Sequence, residues 1–156
     1  MEKKLTHITN DRICMVDISD KKEIVRKAIA SGEILLKHDT IERIKSGQIE
    51  KGCVLSTARI AGIMAVKKTY ELIPLCHQIP ISNIDIQFEI KKKSIKAKTE
   101  VKSIGKTGVE MEALTGTSIA LLTIWDMVKS IEKCETGNYP DTKIFNIKVD
   151  EKLKEI

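Results

Sequence analysis

Residues 81–104 restrict the possible folds of this chain more than any other stretch. In ISNIDIQFEI the apolar side chains Ile81, Ile84, Ile86, Phe88 and Ile90 alternate closely with Asn83, Asp85, Gln87 and Glu89. Successive strand side chains point to opposite faces, so this pattern predicts a strand with one buried and one polar face. Lys91-Lys92-Lys93 makes an exposed turn, SIKAKTEVKSI alternates again, and the two runs predict a hairpin. An apolar helix then spans about 109–133, carrying Leu114, Ile119, Leu121, Leu122, Ile124, Trp125 and Val128.

The flanking segments extend this unit. Residues 23–36 partly fit both the helical and the strand period. Asp39-Thr40 offers caps for a short helix ending near Gly47. From Cys53 to about Lys68 the chain predicts a buried helix whose small face is Thr57, Ala58, Ala61 and Ala65. Pro74 and Pro80 bracket a non-helical link, Gly137, Asn138 and Pro140 break the chain, and KIFNIKV, residues 143–149, predicts a last strand. If 23–36 is a strand, the order is that of an α+β, ferredoxin-like β-α-β-β-α-β sandwich, an antiparallel sheet with helices packed on one face. The other sheet face is then wet or covered by a partner. We expect a single domain over 1–156, with 1–20 as an N-terminal arm and 21–150 as the core.

Composition excludes several classes of function. Lys and Arg outnumber Asp and Glu by 27 to 22, and only 3% of residues are aromatic, which is a poor basis for stacking nucleic-acid bases. A small anionic ligand suits the excess equally well. No apolar run approaches the ~20 residues of a membrane-spanning helix. The first residues, MEKKLTHITNDR, carry no secretory pattern, so a cytoplasmic protein is expected. Cys14, Cys53, Cys76 and Cys134 form no C-x-x-C pair, which predicts neither a zinc knuckle nor a disulfide framework but four small, mostly buried thiols.

SIGKTGVEMEAL, residues 103–114, looks like the end of a phosphate-binding P-loop. Glu100 stands where that motif needs its first glycine, and the loop follows a hairpin rather than a buried parallel strand, so an ATPase is disfavoured. What remains is a turn that caps a helix, or amides and Lys106 turned toward an anion. Glu110 and Glu112 share a side if extended and diverge if helical. Asp126 and Lys129, three apart, share one helix face beside Trp125. On a continuous helix Glu112 and Asp126 lie ~21 Å apart, so one reaction using both needs a pocket drawn from two chains. Lys51, Arg59, Lys67 and Lys68 surround the small-residue helix, where Lys67 and Lys68 would also complement its dipole. His77 follows Cys76 in the proline-bracketed link, a poor chelating pair because neighbours in extended chain point apart; alone, His77 reads equally as a structural hydrogen-bonder or an acid/base group.

Together LTHI, MVDIS, KGCVLSTARIAGIMAVKKTYELIPLCH and GKTGVEMEALTGTSIALLTIWDMVK, with the hairpin between them, resemble the cyclic pyranopterin monophosphate synthases of molybdenum-cofactor biosynthesis. The resemblance covers most of residues 5–133. It implies a ferredoxin-like fold, with 23–36 a strand, and a homohexamer built as a trimer of dimers with sites between subunits. The reaction it implies is a lyase rearrangement of 3′,8-cyclo-7,8-dihydroguanosine 5′-triphosphate. No cofactor is required, although Mg2+ could accompany the triphosphate, and no metal-ligand cluster, nucleic-acid or membrane partner is implied. Onto this chain it maps proton transfer to Lys51, Asp126 and Lys129, phosphate contacts to Lys67 and His77, and substrate framing to Leu75, Cys76, His77, Met111 and Glu112, with Glu110 and Asp17 also at the site. A lysine beside Asp126 could act as an acid or, with a lowered pKa, as a base. The chain departs from the family at its end, where KIFNIKVDEKLKEI replaces a glycine-rich tail that carries a lysine; Lys143 or Lys148 could take that place. Two other classes compete: a basic RNA-binding module, and a ligand-binding protein that has lost turnover.

Overall fold

A computed structural model describes residues 8–9 and 12–155. The Leu5–His7 part of the LTHI stretch lies outside them, as does most of the expected arm before Arg12. The elements are β1 (Ile8–Thr9), β2 (Arg12–Ile13), β3 (Ile24–Leu35), α1 (His38–Lys45), α2 (Val54–Lys67), α3 (Thr69–Leu72), β4 (Ile81–Ile90), β5 (Ser94–Gly105), α4 (Glu110–Glu132) and β6 (Lys143–Glu155). β1 and β2 form a small antiparallel ladder, and the main sheet has the order β4-β5-β3-β6 with every pair antiparallel. That order, with α2 and α4 on one face, is the ferredoxin-like α+β sandwich. The ambiguous segment 23–36 is β3, which pairs along its whole length with β5 and also with β6.

The hairpin forms where alternation places it, and the break in its pattern has a cause. The β4–β5 register shifts between Ile81 and Asn83, which returns Ile84, Ile86 and Phe88 to the helix side. There Ile34, Ile95, Ala97 and Val101 of the sheet meet Ala120, Leu121, Ile124 and Val128 of α4, all fully buried. The outer face is laced with ion pairs: Lys27–Glu100 at 2.8 Å, Lys102–Glu100 at 3.2 Å and Lys91–Glu33 at 3.0 Å. The same face also exposes the apolar side chains Val25, Ile104 and Leu153.

α2 and α4 come closest where two glycines meet. A Cβ at Gly62 would stand 2.6 Å from Ile86 Cδ1 and 3.0 Å from the Gly116 carbonyl; one at Gly116 would stand 2.6 Å from Val66 Cγ2. The buried small face of α2 is therefore Ala58, Gly62 and Ala65, whereas Thr57 is exposed and Ala61 half-buried. The expected stripe was displaced because the crossing selects the residues lacking bulk at the contact.

Three further expectations need correction. The start of α1 is not capped by Asp39 or Thr40: the N-cap is Lys37, Asp39 pairs with Arg43 at 2.8 Å, and the Thr40 hydroxyl is spent on the Glu132 carboxylate. β6 runs six residues past Val149, to Glu155, bulged around Asn146 (φ 54), which folds Ile147 over Gly32 onto the helix side. None of the four cysteines is buried; Cys53 is exposed at the N-cap of α2, where its thiol donates to Ser56 Oγ at 3.0 Å.

Candidate active site

A cleft of about 370 Å3 opens where α4 begins, between the proline-bracketed link, the loop after β5 and the chain after β2. Leu75, Cys76, His77, Glu110, Met111 and Glu112, all expected at a site, line it. The SIGKTGVEMEAL stretch explains this placement. β5 ends at Gly105, the loop turns, and α4 starts at Glu110 with Val109 as an N-cap that has no side-chain hydrogen bond. The loop is not a side-chain cap. Its start is fixed by Arg26, which donates to the carbonyls of Gly105 and Lys106 at 3.0 and 3.1 Å. The Lys106 ammonium donates to the Ser19 carbonyl at 2.7 Å, so it ties down the segment that forms one wall of the cleft. Thr107 and Gly108 line the cleft, and the Glu110 carboxylate covers Gly108 where a Cβ would collide with it.

Burial divides the two glutamates as helical geometry requires. Glu112 is 3% exposed, and the loss of water pushes its carboxyl from the ordinary 4.5 up to about 7. The neighbouring Glu110 charge adds to this rise, and Glu112's own backbone N–H opposes it. Glu110 instead turns to Lys152, with which it forms an ion pair. Burial, and then the Glu112 charge, raise the Cys76 thiol, which therefore stays neutral at physiological pH. His77 Nε2 lies 2.8 Å from the Val16 carbonyl. A carbonyl only accepts, so Nε2 carries the hydrogen and Nδ1 is left for another partner. Asp17 follows Val16, and its carboxylate accepts from the Ser19 amide and hydroxyl at 2.8 and 2.6 Å, which hold it below the usual range; Lys106 and His77 add to this.

The other expected residues stand elsewhere on the subunit. Lys51, Asp126 and Lys129 form one cluster at the far end of α4. Lys51 Nζ donates to the Asp126 carbonyl at 2.8 Å and to its carboxylate at 2.9 Å, and Lys129 Nζ reaches the second carboxylate oxygen at 2.8 Å. The lysines, Lys129 first, lower the Asp126 carboxyl to about 2. Asp126 in turn raises Lys129 and holds it as an ammonium, so this arrangement favours the acid over the base among the two roles open to that lysine. Lys67, exposed at the end of α2, borders a separate hollow with Ser82 and Asn83 of β4. Glu112 and Asp126 sit on one uninterrupted helix, so their ~21 Å separation holds within the subunit.

Sequence reasoning missed Lys152 and Lys21, which also line the cleft. Lys152 lies beyond the expected end of the last strand, and neither Lys143 nor Lys148 lines the cleft. Lys143 instead lies over the Phe145 ring and Lys148 pairs with Asp150. Among the described residues no group of three or more His, Cys, Asp or Glu could hold a metal ion. Nor is any helix there long and apolar enough to cross a membrane.

Comparison with known proteins decides the family. The sequence pattern of the MoaC family matches residues 15–154. The chain belongs to the MoaC family. Relatives bear this out over nearly their full length. A protein of Methanosarcina acetivorans is 62% identical over 99% of this chain and 98% of its own. Others from Pyrococcus furiosus and Archaeoglobus fulgidus are each 57% identical over 97% of both chains. All three are named probable cyclic pyranopterin monophosphate synthase. The MoaC match includes the cleft, the Lys51–Asp126–Lys129 cluster and β6 as far as Lys154, so Lys152 lies within the family's extent.

Proposed function

We propose that this chain is a cyclic pyranopterin monophosphate synthase. It acts as a lyase that converts (8S)-3′,8-cyclo-7,8-dihydroguanosine 5′-triphosphate to cyclic pyranopterin monophosphate and pyrophosphate, in molybdenum-cofactor biosynthesis in the cytoplasm. The observation that carries the reading is the full-length likeness to proteins named for this activity. The local chemistry supports it. Opening the five-membered purine ring and closing the pyranopterin require several proton transfers, and Glu112, half protonated near pH 7, can both give and take a proton. Closing the cyclic phosphate expels pyrophosphate, and cations beside the triphosphate stabilise that departing charge. Lys152 and Lys21 at the cleft, with Lys67, supply candidate cations. Lys129, held as an ammonium, is a candidate proton donor to a leaving nitrogen or oxygen. Any Mg2+ that takes part would arrive on the substrate's triphosphate. The direct test supplies the cyclic triphosphate and follows pyrophosphate release together with pterin fluorescence after oxidation. Absence of product from well-folded protein would sink the reading.

We further propose a homohexamer, a trimer of dimers, in which the Glu112 end of one subunit faces the Asp126 end of another. Two features support this. The clusters are too far apart within one chain to share a substrate, and the surface of the helix layer is apolar, with Ile60 at 62%, Met64 at 54% and Leu122 at 52% exposure. Mixing Glu112→Ala with Asp126→Ala subunits after co-refolding tests the arrangement. Random pairing restores an intact site at about a quarter of the positions if the two residues come from different chains. No recovery would mean that each site belongs to one chain.

A further inference from the structure

Outside both clusters, the only charged side chain with no solvent exposure among the described residues is Glu132, at the last turn of α4. One of its carboxylate oxygens accepts from the Thr40 hydroxyl and from the Lys37 backbone N–H at 3.1 Å; the other accepts from the Thr142 hydroxyl. Thr40 and Thr142 are themselves 1% and 5% exposed. Lys37 Nζ adds a hydrogen bond to the Ile131 carbonyl at 3.2 Å. One carboxylate thus fastens the end of α4 to the start of α1 and the approach to β6. α1 leads into the loop bearing Lys51, which is anchored by buried Ile49 and turned by Gly52 at φ 99. Glu132 lies three residues beyond Lys129 and six beyond Asp126, about 60° and 120° around the same two turns, and is buried where those two are exposed.

We propose that Glu132 is a positioning residue for the reaction: it locks α1 to α4 so that Lys51 meets Asp126 and Lys129. The inference rests on the synthase reading for its kinetic test, but its structural content stands apart from that reading. Glutamine can keep the lock, because its carbonyl accepts from Thr40 and Lys37 and its amide can donate to the Thr142 oxygen. Leucine cannot. A displacement of about 1 Å at reacting groups can cost on the order of 100-fold in rate.

The experiment compares wild type, Glu132→Gln and Glu132→Leu well below their unfolding temperatures. It measures kcat and KM for the cyclic triphosphate and titrates the Asp126 carboxyl by 13C NMR. The expected result is at least a tenfold fall in kcat for Glu132→Leu with KM unchanged, an Asp126 pKa that climbs as Lys51 withdraws, and rescue of both by Glu132→Gln. A folded Glu132→Leu with wild-type kcat and an unmoved Asp126 overturns the inference, as does a loss that only tracks thermal stability. If Glu132→Leu does not fold, Thr40→Val, which removes one donor, replaces it; an unchanged kcat and Asp126 titration then overturn the inference. Wild type without turnover defeats the synthase reading instead, and the Asp126 titration alone decides this one.

Discussion

Replacing Glu112 by glutamine removes one buried ionisable group and little else, and its effect on stability has a calculable pH dependence. In the native protein the carboxyl titrates at about 7, against 4.5 when unperturbed. The native state therefore holds this proton more tightly than the unfolded chain. The contribution is complete below pH 4.5, falls as pH rises through 7, and is gone above about 8. At about 1.4 kcal/mol per pH unit the whole effect is about 3 kcal/mol, of which about 2.5 kcal/mol falls between pH 5 and 8. At 3% exposure the group is too buried for solvent to screen much of this away. Urea unfolding of both proteins at one fixed concentration, from pH 5 to 8.5, reads the difference directly. Wild type should lose about 2.5 kcal/mol relative to Glu112→Gln across that range. Curves that stay parallel within about 0.5 kcal/mol would refute a raised Glu112 and, with it, its fitness to move protons at neutral pH.

Other expectations concern the second cluster and the packing. Asp126→Ala and Lys129→Ala should each unfold within about 1 kcal/mol of wild type, because their side chains are 55% and 52% exposed, yet lose ~100-fold or more in turnover. Near-normal rates would remove them from the chemistry. Gly116→Ala forces a methyl against Val66 and should cost about 1–3 kcal/mol by thermal or urea unfolding; a neutral result would mean the helix crossing can widen. Lys152→Ala should raise KM for the triphosphate several-fold without loss of the fold, whereas an unchanged KM would make its ion pair with Glu110 merely structural.

The parts of the fold that were legible are those whose cause is local. Alternation in 81–104 and the apolar run 109–133 each carry their own period, so β4, β5 and α4 follow directly. β3 was ambiguous because Ala28 to Gly32 is buried on both faces and has no polar side to mark a period of two. The remaining misses share a non-local cause. α1's cap partner, Glu132, is 95 residues from Lys37, and no window on the sequence joins them. β6 is lengthened by pairing with β3 through a bulge, although its own last residues, DEKLKE, are mostly charged. For that reason the sequence points to Lys143 and Lys148 rather than to Lys152. Motif resemblance points to Leu75, Cys76, His77, Glu110, Met111 and Glu112 at the cleft and to Lys51, Asp126 and Lys129 at the far end of α4, but not to Lys21 or Lys152. The spacing along α4 showed that the two clusters cannot meet within one chain, but which lysine faces Glu110 emerged only from the strand register.

The unbroken run of α4 from Glu110 to Glu132 has a consequence for how such chains can change length. If the proposed shared site holds, the helix acts as a ruler between the Glu112 cleft and the Asp126–Lys129 pair. A single inserted residue would turn one end by about 100° relative to the other and lengthen the span by about 1.5 Å. Glu112 or the Asp126–Lys129 pair would then face the wrong way, and the Gly62–Gly116 crossing would lose its register as well. Residues 134–138, beyond the end of the helix, carry no such phase. Insertions and deletions should be accepted there and refused inside α4, so that the distance between the two clusters is set by counting residues.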